Sequence, residues 1–368
     1  MATKYENVKQ DLKQKITSGE YAINQKLPTE SVLMAKYKVS RYTVRRAISD
    51  LENDHFIYKI QGGGMYVDDW RQKDTHSKKE NKFIGLLSTH IADYIFPNII
   101  NGVDRMISDH GYMLVISNTH NDQERERESL MEMLDKNVAG LIIEPTQSAL
   151  PTTNADLYDR IRELGIPTVF INAIYPEMEA DFPYVTTNDY GGERKLTNYL
   201  IEQGHKRILG IFQVDDIQGV RRMEGFTAAY REHPDIFLDA QILMYQSSDK
   251  LVNVFDRIEG YLKGPDRPSA IVCYNDQLAI QVIDLVRSLD LTVPTDISVA
   301  GFDNYQIGEY IDPSLTTMMH EKEKMGHDAA DLLLQLIDGK TDGESIEYDP
   351  SLIVRGSTQP FRIVNAKG

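Results

Sequence analysis

The stretch Leu27-Pro-Thr-Glu-Ser-Val-Leu-Met-Ala-Lys-Tyr-Lys-Val-Ser-Arg-Tyr-Thr-Val-Arg-Arg-Ala-Ile-Ser-Asp-Leu51 carries two short helices joined by a tight turn. In its second half Ser40 stands where an N-cap is wanted, and Val44, Ala47, Ile48 and Leu51 follow at the i, i+3, i+4, i+7 spacing of one apolar face. That periodicity turns Tyr42, Arg45, Arg46 and Ser49 outward, with Arg41 and Thr43 flanking the first turn. Pro28 and Thr29 start the shorter first helix, whose expected buried side is Val32, Leu33 and Ala35. A helix with an apolar back and an arginine-bearing front suits a major groove. Arginine's planar fork pairs with the two acceptors of a guanine edge or with phosphate oxygens. Taken alone, the same arginines equally describe a solvated helix face.

The flanks favour DNA. Upstream, Tyr5, Val8, Leu12 and Ile16 form an apolar stripe on a helix that Ser18-Gly19 ends. Downstream, Phe56-Ile-Tyr-Lys-Ile60 and Met65-Tyr-Val67 are β-prone runs around Gln61-Gly-Gly-Gly64, a hairpin with a glycine tip. Three successive glycines exceed what a turn needs, and a bare tip carrying Lys59 and Gln61 suits close approach to a phosphate or a minor groove. Three helices and a two-stranded wing make a winged helix-turn-helix.

In order and spacing, Leu27-Pro-Thr-Glu30, Tyr37-Lys-Val-Ser-Arg-Tyr-Thr-Val-Arg-Arg-Ala47, Leu51 and Gln61-Gly-Gly-Gly-Met-Tyr-Val67 resemble the winged-helix domain of the GntR family of bacterial transcription regulators. The resemblance implies operator contacts by Arg41, Thr43, Arg45 and Arg46 and by the wing residues Gln61, Gly62 and Gly63. Lys4, Glu30 and Tyr42 complete the candidate DNA-binding set.

The net charge of −16 is unevenly spread. Residues 1–82 carry 16 Lys and Arg against 11 Asp and Glu, leaving 24 against 45 for the remainder. A basic head on an acidic body directs phosphate binding to one end. Met1-Ala-Thr-Lys-Tyr-Glu6 has no apolar signal core and no run approaches a membrane span, so a cytoplasmic protein without a membrane partner is expected. The single cysteine, Cys273, fits a reducing compartment and excludes an internal disulfide. At 368 residues the chain has room for more than one domain. Asp68 to Lys82 is polar and charged, which divides the chain into a winged helix-turn-helix over 1–70, a linker over 71–82 and a body over 83–368.

In the body, short apolar runs alternate with helix-length spans. Phe83-Ile-Gly-Leu-Leu87, Tyr112-Met-Leu-Val-Ile116, Gly140-Leu-Ile-Ile143 and Pro167-Thr-Val-Phe-Ile171 make one group of four. Arg207-Ile-Leu-Gly-Ile-Phe212, Ala240-Gln-Ile-Leu-Met244, Ala270-Ile-Val-Cys273 and Ile297-Ser-Val-Ala300 make another, with a break expected at Asp181 to Asn188. Such alternation means an α/β fold of two lobes, each a parallel sheet flanked by helices. Ligands of open α/β sheets bind beyond the carboxyl ends of the strands. Tyr94 and Phe96 after the first run, Glu144, Asn172, Asn275 and Asp303 after later ones, with Arg222 opening a helix and His320 near the end, are the candidates. Carboxylates and amides beside aromatic rings suit a sugar, whose hydroxyls need donors and acceptors and whose C–H faces pack on a ring. Each also has a duller role: Asn275 as a helix cap, Phe96 as core, Glu144 as a loop residue, His320 as a hydrogen-bonded histidine.

Ile84-Gly-Leu-Leu87, Phe96-Pro-Asn-Ile-Ile-Asn-Gly102, Arg222-Met-Glu-Gly-Phe226, Cys273-Tyr-Asn-Asp276, Pro294-Thr-Asp-Ile-Ser-Val-Ala-Gly-Phe-Asp-Asn304 and Leu315-Thr-Thr-Met-Met-His320 resemble the effector domain of the LacI/GalR repressors, related to periplasmic sugar-binding proteins. That resemblance implies a sugar cleft lined by Asn172, Arg222, Asn275, Asp303 and His320. The pairing of a GntR-type head with a LacI-type body is similar to the arabinose-responsive repressors. It implies a homodimer that binds palindromic operator DNA and is released by a sugar effector, L-arabinose. Another sugar, or a sugar-processing enzyme with an appended DNA-binding head, is the alternative. The sequence offers no phosphate loop, metal-ligand constellation or nucleophile with a base, so no catalytic residue, metal or cofactor is expected.

Overall fold

Val8, Leu12 and Ile16 find their partners within the first 80 residues. The computed structural model describes residues 4–53, 56–60, 64–68, 82–92, 94–340 and 343–361; of Lys4, Asn7 and Tyr42 it describes the backbone alone. The chain divides into one unit over 1–80 and a second over 81–368.

In the first unit, α1 (Lys4–Thr17), α2 (Glu30–Tyr37) and α3 (Arg41–Asn53) precede the antiparallel pair β1 (Ile57–Ile60) and β2 (Gly64–Val67). Val44, Ala47, Ile48 and Leu51 of α3 close on the α1 stripe, Leu33, Ile57 and Val67. This is the apolar face that the spacing predicts. The wing has a third lane: Lys26 bridges Tyr66, and the Leu27 N–H donates to the Met65 carbonyl at 2.8 Å. One expectation fails on α2, where Val32 and Ala35 are exposed. The helix is two turns long and meets the core through Leu33, with Tyr37 one turn on and Met34 beside it half-buried, which aims Ala35 away.

The second unit begins with β3 (Phe83–Ser88), α4 (Phe96–Asp109), β4 (Met113–Asn118), α5 (Gln123–Asp135), β5 (Gly140–Ile143), α6 (Ala155–Leu164), β6 (Thr168–Asn172) and β7 (Tyr184–Thr187). It continues through α7 (Asp189–Glu202), β8 (Ile208–Gln213), α8 (Ile217–Glu232), β9 (Gln241–Tyr245), α9 (Leu251–Lys263), β10 (Ala270–Cys273), α10 (Asp276–Ser288) and β11 (Ser298–Ala300). Short α11 (Ile307–Tyr310), β12 (Thr317–Met318), α12 (Lys322–Ile337), β13 (Ile346–Tyr348) and β14 (Leu352–Ile353) complete it.

Two sheets result. The first lobe has the order β13-β7-β6-β5-β3-β4 and the second β11-β10-β8-β9, all pairings parallel. The eight apolar runs are strands, four in each lobe. The stretch read as a break is different: Tyr184–Thr187 is a fifth strand of the first sheet, beside β6, and β13 adds outside it. The chain passes to the second lobe at Asn188, which caps α7, and returns at α12. There Met325, Ala329 and Leu333 pack among Ile84, Ile99 and Val103 of the first lobe. Gly102 and Gly326 allow that return, since a Cβ on Gly102 would sit 2.1 Å from the Glu323 carbonyl oxygen and one on Gly326 2.0 Å from that of Ile99.

Candidate effector cleft and nucleic-acid interface

In the first unit, Ser40 caps α3: its Oγ accepts from the Thr43 N–H at 3.3 Å. Arg41, Arg45 and Arg46 stand exposed on the helix. Arg45 Nε donates to both carboxylate oxygens of Glu30, at 3.1 and 3.0 Å, so the start of α2 sets the direction of the arginine. The Arg46 guanidinium lies 4.4 Å from the centre of the Tyr5 ring. Lys59, two residues before the wing tip, is paired with Glu52. Gln61, Gly62 and Gly63 and the side chains of Lys4 and Tyr42 lie outside the described residues.

In the second unit a cavity of about 530 Å³ opens between the lobes at the carboxyl ends of their strands. Tyr94, Phe96, Glu144, Asn172, Arg222, Asn275 and Asp303 all line it. Arg222 is 1 % exposed. Its Nε donates to Asp189 Oδ1 at 2.8 Å, Nη2 to Asp303 Oδ1 at 3.1 Å and Nη1 to the Tyr274 carbonyl at 2.5 Å, while the Phe302 ring lies beneath it with its centre 3.8 Å away. Burial pushes the Asp303 carboxyl up, but the Arg222 guanidinium, with His320 and Tyr94, overrides it and holds Asp303 well below the usual carboxylate range. Asp189 has only the arginine to oppose burial and is pushed up to about 7.

Tyr94 belongs to the first lobe and reaches the second. Its hydroxyl donates to Asp303 Oδ2 at 2.6 Å and accepts from the Asp276 N–H at 3.2 Å. Burial, then Asp303, keeps that phenol protonated. Other bonds between the lobes include Gln218 Nε2 to Asn172 Oδ1 at 3.2 Å, Ser148 Oγ to Asp216 Oδ1 at 2.8 Å and the Ile217 N–H to Ser148 Oγ at 3.0 Å.

Several candidates arrive with their hydrogen bonds partly committed. Glu144 Oε2 accepts from Ser88 Oγ and from the Thr89 N–H and Oγ1, and Oε1 from Asn172 Nδ2 at 2.8 Å. Asn275 Oδ1 caps α10 by accepting from the Leu278 N–H at 2.9 Å. Phe96 stacks with His90, ring centres 5.1 Å apart, at the cavity wall. His320 is off the lining. It lies buried behind Asp303, with Nδ1 3.4 Å from Oδ1, and burial lowers its proton affinity.

The chain matches two family models: "Bacterial regulatory proteins, gntR family" over residues 4–67 and "Periplasmic binding protein-like domain" over 197–358. Over 97 % of its length it is 39 % identical to the arabinose metabolism transcriptional repressor of Geobacillus stearothermophilus, covering 98 % of that protein. The chain belongs to the arabinose metabolism transcriptional repressor family. The corresponding repressor of Halalkalibacterium halodurans is also 39 % identical, with 97 % of each chain covered. A LacI family transcriptional regulator from Enterococcus faecium, solved with bound ribose, shares the fold of the body at a TM-score of 0.67, 23 % identity, covering 76 % of this chain and all of that one.

An arabinose-family repressor is a regulator and not an enzyme, so the cleft has to bind, not react. Among the described residues no group of His, Cys, Asp or Glu could hold a metal ion, and no helix is long and apolar enough to cross a membrane. Cleft residues missed in the sequence are Gln213 and Tyr245, at the ends of β8 and β9, His120 and Asn121 after β4, and Gln218. The strand-end rule would have found the first four, had it been applied to every strand. Gln218 stands four residues before Arg222 on one face of α8.

Proposed function

We propose that this repressor grips a two-fold operator as a homodimer in the cytoplasm and lets go when L-arabinose fills the cleft. The names of its relatives support the sugar. The observation that carries the reading is Arg222, a rigid donor fork fixed by Asp189, Asp303 and Tyr274 at the wall of a cavity shared by both lobes. A fixed fork beside an ionised carboxylate suits neighbouring sugar hydroxyls, one as acceptor and one as donor. Arg222, Asp303, Asn275 and the Phe96 ring touch the sugar in this reading. Tyr94 and Asn172 hold the lobes around it, Glu144 positions Asn172, and His320 backs Asp303. On the other unit, Arg41, Thr43, Arg45 and Arg46 on α3, with Lys4, Glu30, Tyr42 and the wing residues Gln61, Gly62 and Gly63, read the operator. One small winged helix makes few contacts, while two across a palindrome roughly double the binding energy.

Calorimetry against a panel of pentoses and hexoses, followed by operator binding with each, tests the reading. L-arabinose binds and releases DNA if it holds; another sugar doing both in its place reassigns the effector.

A further inference from the structure

A second cavity of about 260 Å³ lies at the crossover from β7 to α7. It shares only Asn172, Ala173 and Gln218 with the front cleft, and the Asn172–Gln218 hydrogen bond is the partition between the two. Its walls come from both lobes: Thr186, Thr187 and Glu347 from the first, and Asn188 and Tyr190 from the start of α7 and Arg221 from the second turn of α8. We propose that this hinge cavity is a second ligand site, for a small neutral polyol, and that its occupant and the front-cleft sugar tighten each other's binding. The coupling rests on the front cleft being a sugar site; the hinge site itself does not.

An unmet polar atom points to a ligand. Thr187 is 5 % exposed, lines the cavity, and its Oγ1 finds no hydrogen-bond partner among the described residues. A buried hydroxyl left unpaired costs free energy that a ligand hydroxyl would recover. The charges narrow the class. Glu179, Asp189 and Glu347 line the cavity against Arg221, which already lies 3.4 Å from Glu179, so an anion finds no free cation there. Asp189 is held by Arg222, and no group of carboxylates suited to a metal ion exists among the described residues. What remains are hydroxyls and amides beside the rings of Tyr184 and Tyr190, a surface for a polyol with hydroxyls on one side and C–H groups on the other.

The coupling follows from the partition. Both cavities are complete in the arrangement where Gln218 meets Asn172, so a ligand in either favours the arrangement that the other binds. Linkage then makes the tightening reciprocal.

The test uses the full chain and xylitol as probe. In calorimetry with the front cleft saturated by L-arabinose, xylitol binds one further molecule per chain. L-arabinose titrated into xylitol-saturated protein binds about fivefold or more tightly than into xylitol-free protein. Thr187→Val, which swaps an unpaired hydroxyl for a methyl, and Tyr190→Ala, at a half-exposed position, each abolish the xylitol heat while leaving L-arabinose binding in place. Absence of xylitol binding to the arabinose-saturated chain overturns the site, as does binding that both variants retain; unchanged L-arabinose affinity overturns the coupling. Should L-arabinose itself give no heat, the effector reading falls instead, and xylitol binding lost in Thr187→Val still decides for the hinge site.

Discussion

Arg222 Nη2 lies 3.1 Å from Asp303 Oδ1, and both side chains are almost wholly buried. Asp303 uses its other oxygen to accept from Tyr94, so one carboxylate ties α8 to the opposite lobe. A buried charge with this many partners is costly to disturb. Arg222→Ala strands Asp189 and Asp303 without their cation and should cost about 3–5 kcal/mol of stability, seen in denaturant unfolding. Arg222→Lys keeps a charge but loses the fork. It should raise the sugar Kd by at least roughly tenfold, about 1.4 kcal/mol, and leave operator affinity without sugar unchanged.

Tyr94→Phe removes the hydroxyl that bridges the lobes to an ionised carboxylate. Such hydrogen bonds are worth about 1.5–3 kcal/mol. The sugar Kd should rise roughly tenfold or more in calorimetry, while unliganded operator binding stays as in the wild type.

Glu193 on α7 is fully buried; Thr197 Oγ1 donates to its Oε1 at 2.8 Å, and Oε2 has no partner among the described residues. Burial pushes this carboxyl up to about 8. A group whose folded pKa is raised favours the fold while protonated, and that advantage is lost as pH rises from the ordinary carboxylate value through about 8. Glu193→Gln cannot ionise. Its stability relative to the wild type should therefore grow between pH 5 and 8, by at most roughly 1.4 kcal/mol per pH unit, and then level off. Parallel denaturation curves at each pH check this.

The body's strands were legible because a parallel strand covered on both faces is a continuous apolar run, as Gly140–Ile143 and Ala270–Cys273 are. Tyr184–Thr187 was not, since its polar Thr186 and Thr187 follow Pro183 and resemble a turn, and its outer partner, Ile346–Tyr348, lies 161 residues on at the register Val185 to Ile346. The strand-end rule brought Tyr94, Phe96, Glu144, Asn172, Asn275 and Asp303 to one cavity. It is blind to hydrogen bonds already made, and so could not foresee that Ser88, Thr89 and Asn172 fill Glu144 or that Asp189, Asp303 and the Tyr274 carbonyl fix the Arg222 fork. On α2, the hydrophobicity of Val32 misled, because a helix of two turns needs only one buried leucine.

Arg45→Ala should weaken operator binding by roughly 1–3 kcal/mol and relax the preference at one base pair, as judged by competition among operator variants. Glu30→Ala leaves Arg45 without the carboxylate that aims it. Its loss should be smaller and fall on specificity more than on affinity, because the arginine's charge remains for the phosphates.

If one energy balance joins the winged helix to the cleft, sugar must change operator affinity, and the operator Kd of the full chain at fixed salt, with and without saturating L-arabinose, shows whether it does. We predict a fall of roughly a thousandfold, which corresponds to about 4 kcal/mol of coupling. An unchanged operator Kd, in a solution where calorimetry shows the sugar bound, would contradict it.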